Sequence, residues 1–185
     1  MTVYVVVNFA VFQVGWFSSV LGGAAGIPWV GPVFVLAAVL LHLHVADRPA
    51  SELMLILACA LIGTLVDSTL VAAGWVTFPS GMLHEALAPY WIVAMWVLFA
   101  TTLNSSLRWL RGRTALAVLF GAVGGPVTYA GGHELGGIDF VDRSAALAFL
   151  GVAWGAALPV LTHLAAILDG MPSTEPQRTS VGERS

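Results

Sequence analysis

Asp67 is the residue best placed to do chemistry in this chain, because it is an ionisable group set well inside a long apolar stretch. A carboxyl group at the centre of a membrane-spanning helix costs about 2.5–3.5 kcal/mol on insertion scales. Such a group is kept either to work or to be bonded. At work it would accept a proton, ligate a cation or anchor a polar head. Bonded, it would join helices through Gln13 or the hydroxyls of Ser18 and Ser19. Gln13 lies at the centre of the first apolar stretch. Asp67 lies about 6 Å outward of the middle of the third, at 1.5 Å per residue.

Two further polar groups flank this level. On one side stand His84-Glu85 and His133-Glu134, with Asp139 and Asp142 nearby. Two imidazoles and two carboxylates could hold a metal, but neither dipeptide extends to a second histidine at zinc-protease spacing. They are read as solvated loop residues, and no metal is assigned. On the other side Asn8, His42, His44, Asn104, Ser105, Ser106 and His163 fall at similar depths. His42 and His163 could in principle ligate a b-type haem. The simpler account is interfacial histidines bonded to Asn104 or to backbone carbonyls, so no cofactor is assigned. There is no glycine-rich phosphate loop, no Ser-His-Asp order and no Cys-x-x-Cys.

The elements that must position these residues are six apolar stretches, near 3–23, 28–46, 52–74, 89–108, 114–131 and 144–168. Each approaches the ~20 residues needed to cross a bilayer. The chain is 58% hydrophobic and 9% charged, with mean hydropathy +0.90. Soluble domains carry about 25% charged residues, and a water-facing fold of this composition would expose large apolar patches. Nucleic-acid binding is excluded by a net charge of −3 and the absence of lysine. Cys59 is the single cysteine, so no intrachain disulfide can form. The first stretch has no basic segment before it and is read as a retained span rather than a cleaved signal.

With the N-terminus cytoplasmic, Arg48, Arg108, Arg111, Arg113, Arg178 and Arg184 lie inside and only Arg143 outside, as the positive-inside rule requires. Trp29, Trp75, Tyr90 and Trp91 then fall at the outer interface and Trp109 at the inner one. The expected architecture is all-α: a polytopic bundle of six transmembrane helices in residues 1–170, both termini cytoplasmic, with a disordered tail over 171–185. Brief connections predict antiparallel hairpins between sequence neighbours. Gly124-Gly125-Pro126 makes the outer end of the fifth span the least defined boundary, and Pro159 predicts a kink in the sixth. Ser18, Gly22 and Gly26, Gly121 and Gly125, and Gly151 and Gly155 recur at four-residue spacing, which suits close helix packing within the chain.

Several of these segments together resemble a bacterial family of small membrane proteins. They are Phe12 to Phe17, Gly31-Pro32, His42-Leu43, Asp67, the run Trp96 to Trp109, and Gly124-Gly125-Pro126 with Tyr129. The family is known as domain of unknown function 2878, and the resemblance extends to about Leu168. It implies no established activity, substrate or cofactor, and points toward lipid modification by association only.

The functional expectation is a protein of the cytoplasmic (inner) membrane that binds a lipid or amphiphilic small molecule, or assists lipid modification. Asp67 and Gln13 would form a polar anchor beneath an aromatic mouth of Trp16, Trp91, Trp96 and Tyr129, with Asn104 as a further polar contact. The alternatives are a small proton- or cation-coupled transporter using Asp67, or a membrane-embedded lipid-modifying enzyme using Asp67 or the His-Glu pairs as acid–base groups. A membrane protein partner is a further expectation.

Overall fold

A computed structural model of the chain describes residues 2–172. Six helices form: α1 (Thr2–Ala24), α2 (Val30–Val45), α3 (Pro49–Ala72), α4 (Tyr90–Leu103), α5 (Thr114–Glu134) and α6 (Arg143–Ile167). A 3-10 turn occupies Arg108–Leu110, and the two-residue strands β1 (Val76–Thr77) and β2 (Asp139–Phe140) pair antiparallel. α1, α3, α5 and α6 are each long and apolar enough to cross a membrane, whereas α2 and α4 are apolar but only 16 and 14 residues long.

The short α4 lies at the centre of the fold. It packs against α1, α2 and α3 and touches α6, so it forms the axis of the bundle. Trp91, Ile92, Trp96, Leu98 and the run from Ala100 to Leu103 are all buried on it. A helix enclosed by protein need not match the ~30 Å of a hydrocarbon core. Outside this axis the apolar residues turn outward: Leu36, Leu57, Leu61, Leu65, Val127 and Val152 are each 60–75% exposed. Side chains of this kind would aggregate in water and are at home in lipid.

Several expectations need correction. The fourth helix ends at Leu103 rather than near 108, because the backbone tightens there: Ser105 N and Leu107 N both donate to Thr102 O, at 3.0 and 2.8 Å. α5 continues through Gly124-Gly125-Pro126 to Glu134, so His133 and Glu134 form its last turn and are not loop residues. Asp142 is a helix cap, its carboxylate accepting from Ala145 N at 3.0 Å. Sequence neighbours pair as hairpins for α1–α2, α3–α4 and α5–α6 only. The segment between α3 and α4 spans residues 73–89, and α5 leaves α4 to pack along α6.

The small residues act within the chain. A Cβ on Gly121 would lie 2.1 Å from Trp154 O, and one on Gly125 would lie 2.5 Å from the Trp154 ring, so α5 and α6 are in backbone contact. Proline 126 leaves Ala122 O without its helical donor, and that carbonyl faces α6, 3.3 Å from where a Cβ on Gly151 would stand. Ser18, Gly22 and Gly26 form no such seam. Gly26 closes α1 with a left-handed φ of 73°, which favours glycine. The tail expected to be disordered lies outside the described residues except for Met171 and Pro172.

Candidate functional site

Four helices converge on Asp67. α3 presents one buried face, with Glu52, Ile56, Cys59, Gly63, Asp67 and Leu70 recurring at helical spacing. Gly63 lies one turn before Asp67, and a Cβ there would fall 2.0 Å from the Trp96 ring, so the missing side chain makes the space that ring fills. Trp96 of α4 then donates its indole N–H to Asp67 Oδ2 at 2.6 Å, and Tyr129 of α5 donates its hydroxyl to Oδ1. Trp154 of α6 stacks on Trp96 with centroids 4.2 Å apart and planes 18° from parallel. Its own indole N–H is buried and has no hydrogen-bond partner among the described residues. A fully buried carboxyl group is thus offset by two hydrogen bonds, each worth about 1.5–3 kcal/mol if Asp67 is ionised.

Asp67 stands behind Trp96 and Tyr129, and these two rings line a crevice of about 240 Å³. One wall is Phe9, Phe12 and Trp16 of α1; the other is Phe120, Gly124, Thr128 and Tyr129 of α5. Trp96, Phe99 and Trp154 form the floor. Thr102 and Ser106 give the lower end its polar atoms. Phe9 and Phe120, at 57% and 49% exposure, mark the side on which it opens.

The structure brings together three residues singled out in the sequence, Asp67, Trp96 and Tyr129, and sets Trp16 on the facing wall. Gln13 is half-buried on α1 and is not a partner of Asp67. Trp91 lies elsewhere: it is fully buried at the start of α4, against Gly23 and Gly81, with its N–H on Ser80 O at 3.1 Å. It is therefore no interfacial belt residue. Ser18 and Ser19 bond to the carbonyls of Val14 and Gly15 in their own helix.

Asn104 belongs to a second polar cluster at the opposite end of α3, centred on Glu52, which the sequence reading missed. Glu52 is completely buried and accepts three hydrogen bonds: from His42 Nε2 at 2.8 Å, Asn104 Nδ2 at 2.6 Å and Gly170 N at 2.8 Å. Arg111 binds Asn104 Oδ1 through one nitrogen and Asp169 Oδ2 through another, the latter at 2.8 Å. Arg108 reaches both Asp169 oxygens, at 2.8 and 2.9 Å, and Arg48 binds the Asp169 carbonyl. Burial acts to raise the Asp169 carboxyl, but the Arg111 and Arg108 guanidiniums outweigh it and hold the group below the usual carboxylate range. His163 is exposed whereas His42 is buried, and none of these hydrogen bonds involves His163.

At first-turn position of α3, Glu52 passes for an ordinary complement to the helix dipole. The signal that finds it is its place on the stripe that carries Gly63 and Asp67. At the other end of the molecule His133 Nδ1 is bonded to Ile138 O at 2.8 Å and His84 Nδ1 accepts from Ala86 N at 3.1 Å. Among the described residues no three His, Cys, Asp or Glu side chains are grouped to hold a metal ion.

Comparison with curated proteins and with solved structures finds no match. One family model, described as "Protein of unknown function (DUF2878)", matches residues 5–160, a range that contains the whole crevice as well as His42, Glu52 and Asn104. The chain belongs to that family.

Proposed function

We propose that the protein crosses the cytoplasmic membrane six times with both termini inside, and that it holds a lipid or other amphiphile in the crevice between α1 and α5. The observation that carries this reading is the crevice itself: aromatic on three sides, open on the side where apolar residues are exposed, and backed by one oriented polar group. Apolar walls with few convergent polar atoms suit an amphiphile. Tyr129 is the group that meets the ligand, and Asp67 is a positioning residue behind it. The enclosure of α4 supports six crossings despite its length. The clustering of Arg48, Arg108, Arg111 and Arg113 at one end supports the orientation.

Native mass spectrometry in mild detergent tests this reading with two variants. Gly124→Leu fills the crevice where a Cβ meets no atom within 4 Å, so the fold should tolerate it. Wild type should carry a discrete lipid-mass adduct that Gly124→Leu loses and Asp67→Asn holds more weakly. A bare wild-type protein, or an adduct retained by Gly124→Leu, would overturn the assignment.

A further inference from the structure

We propose that Arg108 and Arg111 form a binding site for a phosphate group, and that the carboxylate of Asp169 occupies it as an internal stand-in. The donor count carries the argument. Each guanidinium offers five N–H donors. Arg108 spends only Nη2 on Asp169, while Arg111 divides Nη1 and Nη2 between Asp169 and Asn104. The Nε atoms of both arginines are buried without a partner among the described residues. A carboxylate supplies two oxygens and one charge, and both are already engaged: Oδ2 is shared between the two arginines, and Oδ1 accepts from Arg108 and from Met171 N. A phosphate supplies more oxygens and at least as much charge, and it suits two forked guanidiniums better.

The surrounding charges leave room for such an anion. Arg48, just before α3, is a third cation beside the same segment, bound to the Asp169 carbonyl. Glu52 faces the cluster too, but its oxygens are taken by His42, Asn104 and Gly170 N. Among the described residues Asp169 is thus the one acidic residue bonded directly to the three arginines, with Glu52 a second negative charge behind Asn104. The site is also reachable, since the side chains of Arg108, Arg111 and Asp169 are 23%, 19% and 25% exposed. Asp169 lies just past the end of α6, and its side chain can swing off the guanidiniums while Gly170 stays bonded to Glu52 and to Arg48 N. The same turn carries Trp109, 43% exposed with the Arg113 guanidinium 5.9 Å from its ring centroid, an arrangement typical of the level of lipid headgroups. A lipid phosphate and free phosphate share the required chemistry.

The test is ligand titration followed by native mass spectrometry in an uncharged detergent, with phosphatidylglycerol, phosphatidylcholine and inorganic phosphate as probes. The anionic lipid should bind more tightly than the zwitterionic one. Asp169→Asn should raise that affinity several-fold by removing the competitor, and Arg108→Gln should lower it. Arg113→Gln makes the same change in net charge outside the cluster and should leave the affinity in place. Inorganic phosphate following the same order of variants without any lipid effect assigns the site to a soluble anion; the lipid alone following it assigns a headgroup. Unchanged affinity for every probe in Asp169→Asn overturns the proposal, as does an Arg113→Gln effect equal to that of Arg108→Gln. The first of these readouts needs no arginine variant to fold.

Discussion

Gly124→Ala and Gly125→Ala add the same atom to adjacent residues of α5 and are expected to separate in stability. In a helix interior, alanine is favoured over glycine by about 0.5–1 kcal/mol, a gain common to both variants. The packing terms differ. A Cβ on Gly124 meets nothing within 4 Å, whereas one on Gly125 would stand 2.5 Å from Trp154 Cδ1 and Cγ and 2.8 Å from its Cβ. Carbon atoms rest about 3.5–4.0 Å apart, so the Trp154 ring or the whole of α6 must retreat by about 1 Å. Trp154 is held from the other side by its stack on Trp96, and overpacking a closed interface of this kind costs about 1–3 kcal/mol. Because the helix gain cancels in the comparison, Gly124→Ala should be the more stable variant by that amount. Reversible unfolding in mixed micelles, followed by tryptophan fluorescence, measures the difference directly. Equal stability, or the opposite order, would refute the close α5–α6 packing on which the crevice floor depends.

Tyr129→Phe should cost about 1–3 kcal/mol of unfolding free energy, the penalty for leaving one buried oxygen of Asp67 without its donor. A variant as stable as wild type in the same unfolding assay would show that Asp67 does not depend on that hydroxyl. Low pH should loosen the segment after α6. The Asp169 carboxyl lies lower in the folded chain than unfolded, so the unfolded state binds the proton first and the ion pairs' stability is lost as pH falls below about 4. Thermal unfolding from pH 6 to pH 3 should fall more steeply for wild type than for Asp169→Asn, and parallel curves would exclude the linkage.

The six elements were legible because each is a long apolar run, and the ends of α1, α2, α3 and α6 fall within a few residues of where the sequence places them. Turn chemistry decided the rest. Asn104, Ser105 and Ser106 read as the close of a helix, yet nothing local reveals that the chain tightens at Thr102 and that Asn104 is drawn to Glu52, 52 residues away. Pro126 reads as a boundary, but α5 runs on through it, and the carbonyl it leaves bare faces α6. At the site, the cost of burying Asp67 identified the residue without identifying its partners. Gln13 was expected at comparable depth, but depth says nothing about azimuth: Gln13 sits on α1, while the partners come from α4 and α5. Trp154 carried no polar signal at all, and only the glycines facing it on α5 hinted that a large ring lay there. Trp91 has the same composition-level signature as Trp96, and only the loop folded over it separates a buried anchor from a crevice wall.

The stacked indoles of Trp96 and Trp154 also give the protein an optical property. Two nearly parallel rings 4.2 Å apart share their electronic excitation, so their circular dichroism in the near and far ultraviolet depends on their mutual angle and spacing. One ring belongs to α4 and the other to α6, and both form the floor of the crevice. The signal of this pair therefore reports the separation of the two helices in the unlabelled protein, and any molecule that wedges between or against the rings will alter it in proportion to occupancy.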